Sequence, residues 1–554
     1  MASLARDWWL RAWDQRYEVD LWRRTLGDDA QAYIRGTRGD DNLVGTDEDD
    51  LIEGRKGHDT LGGGAGADTL VGGLGDDTCY VDNTLDQVVE KRDGGTDTVV
   101  ATVDWHLGKH VENLTLNGYP SDGLRGIGNA LDNVIQGDIG QNYIDGGAGN
   151  DTIDGGWALS PGVADTLIGG EGDDDITASA GGFEGDLLYG GTGNDTLRGQ
   201  SATLYGEDGD DLLIGGPGWG HHASGNALYG GTGNDTLQSG GYLDGGDGDD
   251  LMSTTFGASA QGGLGNDTLT GSGANGYSSY YVDMGDGDDH VDVMGMNNLL
   301  SIDGGAGHDQ LTGYGQNGLL IVGGEGDDTI SGTTGPGSPA YLLQGGEGDD
   351  ELIGRGRDGT LEGGDGNDHL SSSDSGNEIS FSALRGGTGN DTLEGGGTDR
   401  STLEGGEGED TFVLRAREIL PPDATWVMDF ESGLDTLSVS QAALPVGNGD
   451  LVVDGATTIT GPGGFDASAE LVILAADVLG PLTLDSIAAA FGEANQAYAA
   501  GQSAVFVAGN GSETWVLRFE SAGNDATISA AELSLIGHLA GGVKPPVEDI
   551  GWGP

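Results

Sequence analysis

The chain has 554 residues, of which 93 are acidic and 22 are basic, so its formal net charge is −71. This charge excludes nucleic acid as a partner, because phosphate binding needs a basic surface, and no apolar run of about 18 residues is present that could cross a membrane. Glycine accounts for 112 residues, and a chain of this composition stays unfolded unless cations offset the repulsion between its carboxylates.

Residues 1–35 are predicted to form an amphipathic helix that caps the N-terminal end of the fold. Trp9, Trp13, Tyr17 and Leu21 follow one another at intervals of four residues, with charged residues between them. A cap keeps the open end of a repeat stack soluble, and the alternative is an aromatic face for a partner or a membrane surface. The segment lacks the apolar stretch of about 7–15 residues of a secretory signal peptide, so no such signal is expected.

Residues 36–81 contain five consecutive copies of a nine-residue repeat. Every copy begins with glycine, has aspartate at position six and has an apolar residue at position eight. The residues at position eight are Leu43, Ile52, Leu61, Leu70 and Cys79. Cys79 therefore replaces a core leucine, which predicts a buried thiol rather than a nucleophile. It is the only cysteine of the chain, so no intrachain disulfide can form.

Residues 82–145 are predicted to form a spacer, because the nonapeptide pattern stops at residue 82 and resumes only in degenerate form. Asp97–Val103 and Glu112–Leu116 have the composition of strands. Two degenerate repeats follow, with Asn133 and Asn142 where aspartate is expected.

Residues 146–413 form a long array whose glycine-rich turns recur about every 20 residues, close to two nonapeptides. Between two full repeats lies an apolar strand without the aspartate, such as Leu188-Tyr189 or Leu361-Glu362. Since only every second turn keeps its aspartate, cations are expected along one edge of the array. The opposite edge is expected to carry loops of variable length and few ions.

Residues 414–554 contain less glycine and more aliphatic residues. They are predicted to form terminating strands, a small separate α+β domain and a loose tail from Gly541. Leu484–Ala500 reads as a helix, and Ser503–Val507 and Glu513–Glu520 read as a hairpin joined across 509–511.

The repeat has the composition of a cation site built on a short strand. Nine residues suffice for one tight turn and one strand, and glycines at positions one, two and four allow the turn to expose its carbonyl oxygens. These oxygens suit a hard cation, to which the aspartate adds charge. The apolar residue points into the stack. Two repeats form one coil of about 18 residues, and only the stacked coils bury a core.

Residues 36–81 and 128–413 resemble the RTX, or haemolysin-type, calcium-binding family, and Thr411–Leu414 with Asp429-Phe430 and 433–437 resemble its terminating unit. The resemblance implies a mainly β fold, a right-handed parallel β-roll or β-helix solenoid, here with an N-terminal helical cap and a small C-terminal α+β domain. It also implies roughly 15 to 20 Ca²⁺ ions, held by turn carbonyls and position-six carboxylates. Carried over to this chain, these carboxylates are Asp41, Asp50, Asp59, Asp68, Asp77, Asp151, Asp174, Asp195, Asp211, Asp235, Asp250, Asp267, Asp289, Asp309, Asp328, Asp350, Asp368, Asp391 and Asp410. Asp165 fits only after an insertion, and the five leading repeats could bind ions on both edges.

No catalytic residue is predicted. The HExxH and GxSxG motifs are absent. The rows of aspartate could imitate paired glycosidase carboxylates, but calcium ligands explain them better.

The sequence favours a secreted, calcium-dependent structural or adhesive protein of a bacterial surface or extracellular matrix. Its expected partners are further copies of itself, in a filament or layer, or cell-surface glycans. Extracellular modules of this kind need about 0.1–1 mM Ca²⁺, and RTX relatives leave the cell by type I secretion with an uncleaved C-terminal signal. Two alternatives stay open: a glycan-binding or ice-binding adhesin, and an enzyme that modifies polysaccharides, such as an epimerase.

Overall fold

A computed structural model describes residues 22–23, 32–118, 123–157, 163–179, 185–216, 226–254, 259–273, 280–295, 299–335, 337–373, 381–395, 400–415, 425–440, 453 and 455–553. The chain divides into two compact units, Met1–Leu237 and Gln238–Pro554. Strand β23 (Thr236–Ser239) contains the boundary between them.

Unit one is built of short strands that stack in three sheets. The first sheet contains β1 (Trp22–Arg23), β2 (Ala32–Arg35), β4 (Leu51–Glu53), β6 (Thr69–Val71) and β8 (Gln87–Val89). The second contains β3 (Asn42–Val44), β5 (Thr60–Gly62), β7 (Thr78–Val81), β9 (Thr98–Ala101), β11 (Asn113–Leu116), β13 (Val134–Gln136), β15 (Thr152–Asp154), β17 (Asp175–Thr177), β19 (Thr196–Gly199) and β21 (Leu212–Gly215). The third contains β10 (Trp105–His106), β12 (Arg125–Ile127), β14 (Tyr143–Ala148), β16 (Thr166–Glu171), β18 (Leu187–Thr192), β20 (Thr203–Asp208) and β22 (Ala227–Thr232).

The described neighbouring strands of unit one are parallel, apart from the antiparallel pair β1 and β2. Strands that are neighbours in a sheet lie one coil apart in the chain, as in the pair β5 and β7, where Leu61 lies beside Cys79. This arrangement is a parallel β-solenoid, and the mainly β prediction is confirmed.

Unit two has the same kind of construction, and its described repeats form two sheets of parallel strands. One sheet contains β24 (Tyr242–Asp247), β26 (Ser259–Leu264), β28 (Tyr280–Asp286), β30 (Leu300–Ala306), β32 (Leu319–Glu325), β34 (Tyr341–Glu347), β36 (Thr360–Asp365), β38 (Phe381–Thr388), β40 (Arg400–Glu407) and β42 (Thr425–Val427). The other contains β25 (Leu251–Thr254), β27 (Thr268–Gly273), β29 (His290–Gly295), β31 (Gln310–Gly315), β33 (Thr329–Thr334), β35 (Glu351–Arg355), β37 (His369–Ser373), β39 (Thr392–Glu394), β41 (Thr411–Leu414) and β43 (Thr436–Ser440). The C-terminal elements are β44 (Thr457–Ile459), β45 (Leu471–Leu474), α1 (Leu484–Phe491), β46 (Ser503–Gly509), β47 (Glu513–Glu520), a 3₁₀ turn (Ala530–Glu532), β48 (Leu533–Ala540), a second 3₁₀ turn (Val547–Asp549) and β49 (Ile550–Gly553).

The core of the solenoid is a column of position-eight side chains. Alternate residues of each strand point inward, so that Leu61 and Leu70 are fully buried and Cys79 is only 1 % exposed. Cys79 lies between Leu61 and Val99 of the adjacent coils. The predicted core role of Cys79 is confirmed.

The predicted spacer continues the stack of unit one. The strands expected at Asp97–Val103 and Glu112–Leu116 are present as β9 and β11, and β9 pairs with β7 of the last nonapeptide. The sheet therefore passes from the first array into the degenerate repeats without a break in pairing.

The C-terminal residues share sheets with the repeats of unit two, and the prediction of a small separate α+β domain is not confirmed. Strand β48 lies parallel to β42, and β49 lies parallel to β43. Residues 550–553, predicted to belong to a loose tail, are thus part of the stack. The predicted hairpin is confirmed as β46 and β47. The helix is shorter than 484–500: it ends at Phe491, and Gly492 caps it with φ 73°.

The predicted N-terminal helical cap is not confirmed. Residues 1–21 and 24–31 lie outside the described part of the chain, while Trp22–Arg23 and Ala32–Arg35 are strands. Across the residues that the structure describes, no helix has both the length and the apolar character that a membrane span requires.

Candidate metal centres

The position-six aspartates stack directly on one another from coil to coil. In unit one the N–H of Asp174 donates to Oδ1 of Asp195 at 2.7 Å, and the N–H of Asp195 donates to Oδ1 of Asp211 at 2.7 Å. In unit two the N–H of Asp328 donates to Oδ1 of Asp350 at 2.8 Å. One oxygen of each carboxylate is therefore fixed by the backbone of the neighbouring coil, and we call such a series a carboxylate ladder.

The other oxygen, Oδ2, is left without a hydrogen bond in most of these aspartates. Among the described residues, Oδ2 is buried and has no hydrogen-bond partner in Asp59, Asp68, Asp77, Asp97, Asp151, Asp165, Asp174, Asp195, Asp211, Asp267, Asp289, Asp309, Asp328, Asp350, Asp368 and Asp391. A buried carboxylate oxygen without a partner carries a large desolvation cost. The recurrence of this oxygen in successive coils is typical of sites for a positively charged ligand.

The glycine at position one leaves the space into which this oxygen points. A Cβ atom added to Gly169 would lie 2.5 Å from the carbonyl oxygen of Gly190 in the next coil, and closer still to Oδ2 of Asp174. In unit two a Cβ on Gly323 would lie 2.7 Å from the carbonyl oxygen of Gly345 and closer to Oδ2 of Asp328. Carboxylate and carbonyl oxygens that converge on one gap are the ligands that Ca²⁺ prefers, so the residues fit this ion.

Positive φ angles bring the turn backbones close to one another. Gly170 has φ 121° and Gly172 has φ 129°, a region that L side chains rarely adopt. A Cβ atom on either residue would collide with a carbonyl oxygen of the preceding coil, from Gly147 or Gly149. The turn therefore favours glycine at positions two and four, although Arg55 and Glu207 adopt a positive φ at position two of their turns.

The buried ladder carboxylates have raised pKa values. Burial, reinforced by the aspartates of adjacent coils, raises the pKa of Asp211 to about 8 and that of Asp174 to about 7. In unit two the same causes raise the pKa of Asp350 to about 7. A row of such groups is stable near neutral pH only when protons or cations offset its charge, and a bound cation also allows the carboxylates to remain ionised.

Two of the predicted ligands differ from the rest, because threonine follows the first glycine of their turns. The N–H and Oγ1 of Thr46 donate to Oδ2 of Asp50 at 2.6 and 2.9 Å, and Thr37 makes the same two contacts with Asp41. We call these closed turns, and those with an unpartnered Oδ2 open turns. The structure thus separates Asp41 and Asp50 from the open-turn aspartates of the predicted ligand set.

The carboxylate ladders of unit one lie on two edges. The first edge carries Asp41, Asp59, Asp77, Asp97, Asp151, Asp174, Asp195, Asp211 and Asp235. The second edge carries Asp50, Asp68 and Asp86, and further along the chain it carries Asp165 and Asp186. The five leading repeats therefore present carboxylates on both edges, and ion binding on both edges stays a prediction.

Asp186 was not predicted as a site residue. The N–H of Asp165 donates to its Oδ1 at 2.8 Å, which places both residues in one ladder of the second edge. The expectation of a single ladder in the long array is therefore incomplete in unit one. Its spacing could have predicted it, because Asp186 stands nine residues before Asp195, which occupies position six.

Among the described residues of unit two, the position-six carboxylates follow one another in one ladder, as the sequence predicts. Asp250, Asp267, Asp289, Asp309, Asp328, Asp350, Asp368, Asp391 and Asp410 follow one another along it. In described coils, the buried residues at equivalent places on the opposite edge include Leu300, Leu319, Tyr341, Ser382 and Ser401. These side chains cannot supply the carboxylate that a cation site of this type uses.

Position five carries a second ladder that sequence reasoning missed. The N–H of Asn194 donates to Oδ1 of Asp173 at 2.8 Å, and the N–H of Asp210 donates to Oδ1 of Asn194 at 2.9 Å. In unit two the N–H of Asp327 donates to Nδ1 of His308 at 2.8 Å. The sequence feature that could have predicted it is the recurrence of Asp, Asn or His at position five, since all three side chains can accept a hydrogen bond.

Comparison with known proteins agrees with this geometry. No curated protein gives a match. A family model described as the RTX calcium-binding nonapeptide repeat matches residues 27–61, 35–70, 63–83, 127–157, 164–182, 181–202, 203–219, 223–241, 259–275, 301–320, 320–335, 344–377 and 383–412. The matched stretches make up half of the chain. The chain therefore belongs to the RTX calcium-binding repeat family.

Proposed function

We propose that this chain is a secreted, calcium-dependent structural protein of a bacterial surface or extracellular matrix. The observation that carries the proposal is the row of buried position-six carboxylates whose Oδ2 atoms have no hydrogen-bond partner within the described residues. In a chain with a net charge of −71, such rows oppose folding until cations bind between the coils. Calcium therefore acts as part of the structure.

The location follows from the supply of the ion. Sites made of carbonyl and carboxylate oxygens in extracellular modules bind Ca²⁺ at about 0.1–1 mM. Such a chain stays unfolded in the cytosol and folds once it reaches the calcium outside the cell. Membership of the RTX family supports secretion, and export by the type I route is part of the proposal.

A calcium titration of two matched variants tests the calcium-dependent fold. Asp211 is buried in an open turn, whereas Asp208 of the same turn is exposed. We expect β-structure, measured by far-UV circular dichroism, to form on addition of Ca²⁺ to the chelated protein. Asp211→Asn should raise the calcium midpoint several-fold, because it removes one ionised ligand. Asp208→Asn should leave the midpoint unchanged. A chain that is fully folded in chelator would contradict the proposal.

Self-assembly into a filament or layer belongs to the same proposal. A repeat stack has two unlike ends, and contacts between unlike surfaces of identical copies need not close into a ring. Electron microscopy of the purified protein in chelator and in about 1 mM Ca²⁺ tests this step. Ordered assemblies are expected only with calcium, and monodisperse single copies at that concentration would exclude assembly.

A second candidate function, the binding of cell-surface glycans, is favoured by a stack of tyrosines in unit one. The ring centroids of Tyr189 and Tyr205 lie 4.9 Å apart, as do those of Tyr205 and Tyr229, and the stacked rings are nearly parallel. These side chains are half-buried on the outer face of the sheet, where their hydroxyl groups suit polar ligands. A glycan array with the native chain and Tyr205→Ala tests this function, and equal binding by both would exclude the stack as the glycan site.

A further inference from the structure

Three carboxylates meet at the point where the first array passes into the spacer. Asp77 belongs to the last of the five nonapeptides, whereas Glu90 and Asp97 come from the spacer. One carboxylate oxygen from each lies within 4.8 Å of the others. The exposed fractions of the residues are 1 %, 8 % and 2 %, respectively. Three acidic groups thus lie together with almost no contact with solvent.

Two of these carboxylates each have an oxygen that is free to bind an ion. The N–H of Asp59 donates to Oδ1 of Asp77 at 2.7 Å, and the N–H of Asp77 donates to Oδ1 of Asp97 at 2.9 Å. The Oδ2 atoms of Asp77 and Asp97 are buried and have no hydrogen-bond partner in the described part of the chain. The backbone therefore holds both side chains in place and leaves their second oxygens unsatisfied.

Glu90 stands where the preceding coils have a glycine carbonyl. A Cβ on Gly36 would lie 2.7 Å from the carbonyl oxygen of Gly54, eighteen residues along the chain. A Cβ on Gly72 would instead meet Oε1 of Glu90, also eighteen residues along, and would lie 2.5 Å from Oδ2 of Asp77. The N–H groups of Gly72 and Gly73 donate to the two oxygens of Glu90 at 3.1 and 2.9 Å. A charged ligand thus replaces a neutral one at this position.

We propose that Asp77, Glu90 and Asp97 form a Ca²⁺ site that binds more tightly than the nonapeptide sites and fills first. The affinity of an oxygen site for Ca²⁺ rises with the charge of its ligands, and this site brings three carboxylates together. The proposal rests on calcium binding by the repeats and adds an order of filling, beginning at the end of the first array.

The end of the second array has a similar arrangement, but one of its carboxylate oxygens is already hydrogen-bonded. Asp429 accepts the N–H groups of Gly405 and Gly406 at 3.0 Å each, which repeats the position of Glu90. The N–H of Asp410 donates to Oδ1 of Asp435 at 3.1 Å. Oδ2 of Asp435, however, accepts the N–H of Glu431 at 2.7 Å. Because Oδ2 of Asp435 already has a hydrogen-bond partner, this turn is closed. We therefore assign the tight site to the end of the first array.

Calorimetric titration of the full chain with Ca²⁺ alone tests the proposal. Glu90→Gln removes the charge of the proposed ligand, and Glu90→Gly restores the glycine that the repeat has at this place. Glu48→Gln is the matched control, because Glu48 is an exposed glutamate of the same array. Both Glu90 variants should lose the tightest class of ions, with an affinity at least about tenfold lower at that site, while the control titrates like the native chain.

Circular dichroism at saturating calcium checks that each variant is folded. If Glu90→Gln does not fold, Glu90→Gly decides, because it conforms to the repeat. Unchanged titrations of the Glu90 variants would overturn the proposal and leave Glu90 only as an acceptor for two N–H groups. A native chain that binds calcium in one uniform class would also overturn it, while the proposed function would stand. A native chain that binds no calcium would overturn both.

Discussion

The backbone conformation at position two of a nonapeptide determines whether its aspartate keeps an unpartnered oxygen. Gly64 has φ 93°, and Oδ2 of Asp68 in its turn is unpartnered. Thr46 does not have positive φ, and its N–H and hydroxyl bind Oδ2 of Asp50. Backbone conformation matters more than residue type, because Arg55 adopts φ 92° and its turn is also open. The aspartate alone is thus an incomplete signature of a calcium site.

This distinction predicts that Thr46→Gly creates a calcium site. Glycine removes the hydroxyl and permits the positive φ of the open turns, which frees Oδ2 of Asp50. We expect one additional Ca²⁺ per chain, measured by equilibrium dialysis and elemental analysis. Thr46→Ser is the matched control, because it keeps both donors and should keep the native number of ions. Equal ion counts for Thr46→Gly and the native chain would show that Asp50 either already binds calcium or is prevented from binding it by another contact.

At the scale of single elements, the sequence predicts those strands that follow a strict period. The core column through Leu61 and Cys79 follows directly from the nine-residue spacing. The pairing of β48 with β42 does not follow from the spacing. It places Thr425 beside Gly537, which lies more than a hundred residues further along the chain, and no local sequence pattern predicts such a pairing. Asp186 was missed for a related reason, because its turn lacks glycine at position four although the nine-residue spacing is kept.

The burial of Cys79 predicts a thiol whose reactivity reports the folding of the first array. The side chain is 1 % exposed, and burial raises its pKa well above the usual value. Because thiolate is the reactive form, we expect a maleimide dye to label the calcium-loaded protein at least about a hundredfold more slowly than the chelated protein. The control is labelling in denaturant with and without calcium, which should be equally fast. Rapid labelling of the loaded protein would contradict the stacking of β5, β7 and β9 around this residue.

At the scale of the whole molecule, protons and calcium ions compete for the same carboxylates. The chain carries −71 formal charges, and its ladder aspartates lie coil upon coil with little solvent to screen them. Burial and neighbouring carboxylates raise the pKa of Asp151 to about 7, of Asp195 to about 6 and of Asp267 to about 7. The same groups have a pKa of about 3.9 in an unfolded chain. The folded, metal-free state therefore holds protons that the unfolded state releases.

It follows that protonation of the ladder carboxylates at low pH partly substitutes for calcium in stabilising the fold. Between about pH 4 and 7 the folded state binds more protons than the unfolded state, so the stability of the metal-free protein falls as the pH rises through this range. We expect calcium-depleted protein to show more β-structure by circular dichroism at about pH 5 than at about pH 8, and the calcium midpoint to be higher at the lower pH because protons occupy the ligands. Asp211→Asn removes one group whose pKa burial raises to about 8 and should flatten the metal-free profile, whereas the exposed Asp208→Asn should not. Metal-free protein that gains β-structure as the pH rises would reverse the sign of this linkage and show that the ladder carboxylates are ionised without a cation.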